Sequence, residues 1–337
     1  MARSAGIEFK GIKAGKYRRA PHASLADKLA DTKNLALNVR DIGRSVSGLT
    51  ASLRILRKFK PDVVFCKGGF VALPVGLAAK ILKISLVIHE SDATPGLGTK
   101  ILGRWADDIA VGFPPELYET LPTGKVIFTG NPVRNEIVHE KATRTACIEH
   151  FFGEGNAKGL PVVLVIGGSQ GAVPINDALV DNAKQLSDIV RIVHITGNYD
   201  YERVVGEVIK KKIHKESYVV KEFLSAEEMA KAYKAADLVI SRAGANAITE
   251  LAAVKKPVIL VPNQLMAAHQ LDNAVRLAEA GAVELMREDA LSNTLVETVN
   301  EIIGSKGLQK KLVEELAKVY VPDSTSRLVD LIEKAAK

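Results

Sequence analysis

Cysteine is scarce in this 337-residue chain, which holds only Cys66 and Cys147. Two thiols build neither a disulfide framework nor a four-cysteine zinc site, which fits a reducing compartment. Aromatic residues make up only 5% of the chain, so Val, Ile, Leu and Ala must supply most of the core. No run of about 18 apolar residues occurs, so no segment reads as a membrane-spanning helix. The N-terminus is polar and basic and lacks the apolar stretch of a signal peptide. No His, Cys, Asp and Glu set has the spacing of a metal site, and neither a Walker loop nor a GxGxxG fingerprint is present. These absences point to a cytoplasmic protein, soluble or peripheral on a membrane, that needs no metal and no resident cofactor.

What is present is ordinary globular material with an uneven charge. Apolar residues are 47% and charged residues 25% of the chain, and the length suits two domains. Residues 1–60 hold 14 basic and 4 acidic side chains, so this stretch carries +10 of a total of +7 and the remainder sums to −3. A basic end on a near-neutral body suits an anionic partner, or else a solvated basic face.

Short apolar runs alternate with helical stretches along the chain. They are Asp62–Phe65, Ser85–Ile88 and Lys125–Phe128, then Val162–Ile166, Arg191–Ile195, Leu238–Ile240 and Pro257–Val261. Continuous runs of this kind are what strands buried on both faces of a parallel sheet require. The pattern predicts an α/β protein of two doubly wound, Rossmann-like domains. We expect the first domain over 1–140 and the second over 158–322. The tail 323–337 reads as an amphipathic helix with Leu328, Leu331, Ile332 and Ala335 on one face. A doubly wound domain usually opens with a central strand running into a glycine turn. This chain opens instead with one strand-like run, Ile7–Ile12, and a basic segment. The expectation is therefore a first domain incomplete at its N-terminus.

Three glycine-bearing turns follow predicted strands. Gly167-Gly-Ser-Gln-Gly-Ala172 follows 162–166 and precedes a helix. Glycine lets backbone N–H groups approach a phosphate, to which a helix N-terminus adds partial positive charge, although a plain tight turn has the same residues. Ser241-Arg-Ala-Gly-Ala-Asn-Ala-Ile-Thr-Glu250 opens another helix, where Glu250 suits either ribose hydroxyls or the helix dipole. Lys67-Gly-Gly-Phe70 is weaker. Two polar groups end strands where ligands bind in open α/β sheets, His89-Glu-Ser-Asp92 and His269-Gln-Leu-Asp-Asn273. His269 and Asn273 share a helical face.

Taken in order, these blocks resemble the MurG-type N-acetylglucosaminyltransferases. The resemblance rests on Pro61-Asp-Val-Val with Gly68-Gly-Phe70, His89-Glu with Pro95-Gly96, and Gly130-Asn-Pro-Val-Arg134. It continues through Gly167–Ala172, Arg242-Ala-Gly-Ala245 with Glu250, and His269-Gln with Asn273-Ala. It implies a GT-B fold with UDP-GlcNAc between the halves, and inverting transfer of GlcNAc to the lipid-linked muramyl-pentapeptide that converts lipid I to lipid II. Carried over, Ser169 faces the phosphates, Leu224 the uracil, and Ala245, Asn246, Ala247, Ile248 and Thr249 line the phosphates and ribose. Glu250 takes the ribose hydroxyls, His269 and Gln270 the sugar hydroxyls near Asn273, and Arg134 reaches in from the first half. Asp92 is a further substrate contact and Glu90 the catalytic candidate. The tail helix returns to the first domain.

The resemblance also implies docking on the inner face of the plasma membrane, with basic residues 10–19 against an anionic surface. No nucleic-acid motif accompanies that charge. The departures matter. The family's Gly-Gly-Thr-Gly-Gly-His loop is not in this chain, Phe70 stands for Tyr, and Ser91-Asp92 for Gln-Asn. The expectation is a fragment or misplaced start, or a separate polypeptide that supplies the missing strands, and weak activity of the chain alone. The alternatives are a partner-dependent nucleotide-sugar-binding subunit and another UDP-sugar glycolipid synthase.

Overall fold

The computed structural model describes residues 6–15, 32–155, 159–168, 171–263 and 268–337. The chain divides into two compact units. The first comprises residues up to Ser91, Pro95–Thr129 and Ser326–Lys337, and the second Asp92–Thr94 and Gly130–Thr325.

In the first unit the described strands are β1 (Val63–Cys66), β2 (Ser85–Glu90), β3 (Asp108–Val111) and β4 (Val126–Phe128). They form one parallel sheet in the order β1-β2-β3-β4. All but one of the β2 residues are buried, whereas β1 exposes Phe65. The Gly69–Leu82 helix packs on the Thr32–Phe59 helix and against β1 and β2. Gly76 lets Leu102 press close, because a Cβ there would lie 2.7 Å from that side chain. The tail forms the Ser324–Ala335 helix. Its Leu328 and Leu331 pack with Val87 and Ala110, with Ile332 and Ala335 beside them, so the amphipathic face lies on the first sheet. The run Ile7–Ile12 is not a strand: residues 7–15 carry no regular structure, and Ile7 and Phe9 are exposed. Alternation of apolar and polar residues gave the strand-like look, but no sheet edge pairs with it among the described residues.

The second unit has β5 (Val162–Ile166), β6 (Arg191–Ile195), β7 (Tyr218–Lys221), β8 (Leu238–Ser241), β9 (Val258–Leu260) and β10 (Glu284–Leu285). The order is β10-β9-β8-β5-β6-β7, all parallel. Strands β5, β6, β8 and β9 are buried throughout, as their apolar runs require when helices cover both faces. Helices Val173–Asp181 and Leu291–Gly304 pack together over this core through Ile175, Leu179, Leu295 and Val299. Residues 130–140, expected in the first domain, belong with the second. A Cβ on Gly130 would sit 2.7 Å from Val321, Asn131 Nδ2 donates to Thr249 Oγ1 at 3.1 Å, and Ser324 Oγ donates to the Asn131 carbonyl at 3.0 Å.

Candidate functional site

The second sheet reverses its order between β5 and β8, the topological switch point where open α/β sheets bind ligands. Both strands end there in small residues. β5 runs into Gly167 and Gly168; Gly167 N–H donates to the Ile195 carbonyl at 3.3 Å, and Gly171 N–H to the Gly168 carbonyl at 3.0 Å. Gly168 and Gly171 have φ of +85° and +80°, where a side chain is strained. At Gly171 a Cβ would also run into the Thr196 carbonyl oxygen. The turn therefore lies directly on the end of β6. Ser169 lies outside the described residues.

β8 leads into Arg242, whose guanidinium donates to the Val261 carbonyl at 3.1 Å and pairs with Glu288 at 2.6 Å. Gly244 then caps the Ala245–Val254 helix. On that helix Ile248 and Thr249 are buried, the Thr249 hydroxyl donating to the Ala245 carbonyl, while Asn246 is exposed and Ala247 half-buried. Leu224 is buried too. Leu224, Ile248 and Thr249 thus have almost no exposed surface.

Glu250 is at the centre of the most complete constellation. Arg134 Nε donates to Oε1 at 3.0 Å and Nη2 to Oε2 at 3.2 Å, a two-bond fork. Tyr233 Oη donates to Oε2 at 3.3 Å. Burial and the neighbouring Glu250 carboxylate push the Tyr233 phenol far above its ordinary range, so it stays a donor. Arg134 was expected to reach in from the first half; it belongs to the second unit because the Gly130–Asn131 turn is anchored there. Tyr233 was not anticipated, and its only sequence signal is a lone polar aromatic on an apolar helical face.

A second cluster centres on Asn273, fully buried on the Ala268–Glu279 helix. Its Oδ1 accepts from Ala93 N–H at 2.9 Å, and Nδ2 donates to Asp92 Oδ1 at 3.1 Å and to the Ala243 carbonyl at 3.3 Å. Asp92 and Asn273, both singled out in the sequence, are partners. His269 lies on the same helix, but its side chain is outside the description; Gln270 Oε1 accepts from Asn263 N–H at 3.3 Å.

In the first unit, β2 ends in His89 and Glu90, both buried. Glu90 Oε2 accepts from Thr99 Oγ1 at 2.6 Å and from Gly96 N–H at 3.0 Å, tying β2 to the start of the Leu97–Leu102 helix. The His89 ring stacks on Phe65 at 6.5 Å. Gly68 and Gly69, with φ of +58° and +77°, bring the backbone close: a Cβ on Gly68 would lie 3.7 Å from the His89 carbonyl. Among the described residues no group of three or more His, Cys, Asp or Glu side chains is placed to hold a metal ion.

Comparison with known proteins places the chain. Residues 1–111 match the glycosyltransferase family 28 N-terminal domain, and residues 162–334 match the family 28 C-terminal domain. The chain is 36% identical over 335 residues to the UDP-N-acetylglucosamine–N-acetylmuramyl-(pentapeptide) pyrophosphoryl-undecaprenol N-acetylglucosamine transferase of Lachnospira eligens, covering 98% of this chain and 86% of that protein. The crystal structure of Acinetobacter baumannii MurG superposes with a TM-score of 0.70 at 29% identity, over 87% of this chain and 79% of that one. The calicheamicin glycosyltransferase CalG4, at 16% identity, shares the fold with a TM-score of 0.68 over 99% of this chain and 87% of its own. The switch-point glycine turn and the Arg134–Glu250 fork are thus both carried on the GT-B fold, and the chain belongs to the MurG family of N-acetylglucosaminyltransferases within glycosyltransferase family 28.

Proposed function

We propose that this chain transfers GlcNAc from UDP-GlcNAc to the undecaprenyl-linked muramyl-pentapeptide, converting lipid I to lipid II in peptidoglycan synthesis. The family membership supports this reading, and the observation that carries it is the Glu250 carboxylate, held by Arg134 and Tyr233 on the helix that follows β8 at the switch point. In a single inverting displacement, an acceptor hydroxyl oxygen bonds to the anomeric carbon as the bond to the UDP β-phosphate oxygen breaks. The hydroxyl proton passes to a base, and the diphosphate leaves with the added negative charge. The N-terminus of the Val173–Asp181 helix, which follows the glycine turn, stabilises that charge without a metal.

Leu224 meets the uracil, and Ala245, Asn246, Ala247, Ile248 and Thr249 line the phosphates and ribose. His269 and Gln270 contact the sugar hydroxyls, and Asn273 holds Asp92 and the 92–94 turn. A carboxylate has about four acceptor sites, and Arg134 and Tyr233 use three on Glu250. To accept two ribose hydroxyls, Glu250 must release at least one of these three bonds, from Arg134 or from Tyr233. Glu90 is the base candidate, its Oε2 fixed by Thr99 and Gly96.

The first unit docks on an anionic membrane surface. Ile42 and Val46 are exposed beside Arg40 and Arg44 on the Thr32–Phe59 helix. An apolar cavity of about 390 Å³ runs from there to Leu73, Pro74 and Leu77. Lys10 and Lys13 add charge from the basic segment, whose Lys16, Tyr17, Arg18 and Arg19 lie outside the described residues. No described helix is long and apolar enough to cross a membrane. Calorimetry with UDP-GlcNAc, and UDP-glucose as control, tests the donor reading: selective binding is expected, and equal binding or none overturns it.

A further inference from the structure

Beneath the glycine turn lies a buried polar chain that the proposed reaction does not use. His194, in the middle of β6, is fully buried, as are Asn176 and Thr196, with Tyr218 and Asp200 nearly so. His194 Nε2 lies 3.0 Å from Asn176 Oδ1, and Nδ1 lies 2.9 Å from Tyr218 Oη. Asn176 Nδ2 donates to Asp200 Oδ2 at 2.6 Å and to the Thr196 carbonyl at 3.2 Å. Arg203 grips Asp200 with Nε at 2.6 Å and Nη2 at 2.7 Å, and its Nη2 also reaches Asp177 at 2.6 Å.

The directions of these bonds are forced. Asp200 and the Thr196 carbonyl can only accept, so the Asn176 amide must turn its NH2 to them and its oxygen to His194. His194 must then carry its proton on Nε2, leaving Nδ1 to accept from the Tyr218 hydroxyl. One orientation of Asn176 and one tautomer of His194 satisfy every member. The same Thr196 carbonyl is the atom against which Gly171 lies, and Asn176 sits in the first turns of the Val173–Asp181 helix. The chain thus joins the end of β6, the glycine turn and the helix N-terminus through one amide. Satisfied buried networks of this kind specify a single arrangement, because breaking one bond strands a buried donor or acceptor.

We propose that His194, acting through Asn176, is a positioning residue that fixes Gly171 and the Val173–Asp181 helix N-terminus in the geometry that receives the donor diphosphate. This rests on the UDP-sugar reading above. The imidazole is built to stay neutral, since burial lowers its pKa to about 3, and a charged ring would put a second donor against the Tyr218 hydroxyl.

The test uses two substitutions on the full chain. The amide nitrogen of a glutamine can take the place of the imidazole Nε2 and keep the donor to Asn176, which leucine cannot. His194→Gln should retain UDP affinity within about threefold, whereas His194→Leu should weaken it tenfold or more. Amide hydrogen exchange over Gly167–Asn176 should quicken in His194→Leu and not in His194→Gln. Should His194→Leu fail to fold, Arg203→Ala serves, because this half-exposed side chain holds only the far end of the chain. Its readout is the exchange alone, which should quicken over Gly167–Asn176. Unchanged exchange over Gly167–Asn176 in the folded variants overturns the positioning role, whatever the affinity. Quickened exchange in a protein whose parent binds no UDP upholds the positioning role and overturns the UDP-sugar reading instead.

Discussion

The two units are built from the same kind of parallel sheet and differ in how the chain fills it. In the second, β5 enters at the centre and the later strands add on both sides, giving β10-β9-β8-β5-β6-β7. In the first, the described strands add in one direction only, β1-β2-β3-β4. A reversal forces the connections from adjacent strands to leave on opposite faces, which opens a crevice at the strands' carboxyl ends. The second unit's glycine turn follows β5 at that reversal, with the buried His194 chain on the neighbouring β6 and Glu250 on the helix after β8. The four described strands of the first unit contain no reversal. Its polar groups, His89 and Glu90, sit at one strand end, and its most exposed apolar side chains lie on the Thr32–Phe59 helix and in the irregular segment that holds Ile7 and Phe9. Site chemistry thus follows strand order, and surface character follows the faces the sheet leaves uncovered.

The sharpest way to break this comparison is to make the same substitution in both units. Gly171 and Gly69 both have positive φ, +80° and +77°, but a Cβ at Gly171 meets the Thr196 carbonyl while one at Gly69 has nothing within 4 Å. Gly69→Ala should cost only the backbone strain, about 1 kcal/mol. Gly171→Ala adds a clash with backbone held by Asn176, and we expect UDP affinity to fall 100-fold or more by calorimetry. Equal, mild effects of the two would mean that the glycine turn is not seated on β6 as described.

Glu250→Ala is expected to have the next largest effect. Removing the charged acceptor that we propose takes the donor ribose should raise the donor KM by about 10- to 100-fold, the range for hydrogen bonds to charged groups. The loss falls on the donor alone, so the acceptor KM should hold steady in the same assays. A rise confined to the acceptor would move Glu250 out of the donor site.

Much of this was legible in the residues, and the gaps have physical causes. β2, β5, β6, β8 and β9 announce themselves because strands covered on both faces need unbroken apolar runs, while β1 and β4, only partly buried, show because their short runs are apolar all the same. β7, with mostly half-buried residues, and β10, two residues long, lie at the edges of their sheet; there the covering that produces such runs is partial. β3 is short and includes Asp and Ala. Gly167–Ala172, Glu250, Asp92 and Asn273 were readable because they follow strand ends. The His194 chain was not, although a histidine inside the apolar run Arg191–Ile195 demands a buried partner. Its partners lie 18 and 24 residues away, and only the fold brings them together. The Arg134–Glu250 pair, 116 residues apart, escaped for the same reason.

Acid stability gives a smaller, separable signal from the second unit. His194 has a folded pKa lowered from 6.5 to about 3 by burial. In the unfolded chain the ring protonates below about pH 6.5, whereas in the fold it stays neutral until about pH 3. The stability it contributes is therefore whole above pH 6.5 and is lost as pH falls through that window, by about 1.4 kcal/mol per pH unit. Denaturant unfolding at pH 7 and pH 5 should differ by about 2 kcal/mol from this group. His194→Gln should remove that share of the difference while leaving the contributions of other titrating groups.

The smallest effect is expected at the first unit's surface. A basic side chain near an anionic bilayer gains about 1 kcal/mol, but Arg40 and Arg44 each lie 3.4 Å from the buried Asp41 carboxylate. That shared counter-charge offsets part of their attraction, so neither delivers the full amount. Arg44→Gln should reduce partitioning onto vesicles containing anionic lipid by about threefold, less than the roughly fivefold of an unpaired arginine. Raising salt from 0.1 to 0.5 M should lower binding of both proteins and narrow the gap between them, since the Debye length shrinks below about 10 Å. Ile42→Ser, which removes an exposed apolar side chain, should weaken binding at both salt concentrations. If salt abolishes binding while Ile42→Ser changes nothing, the surface is a charged face without apolar insertion. If the reverse holds, the arginines beside Asp41 serve the helix rather than the membrane.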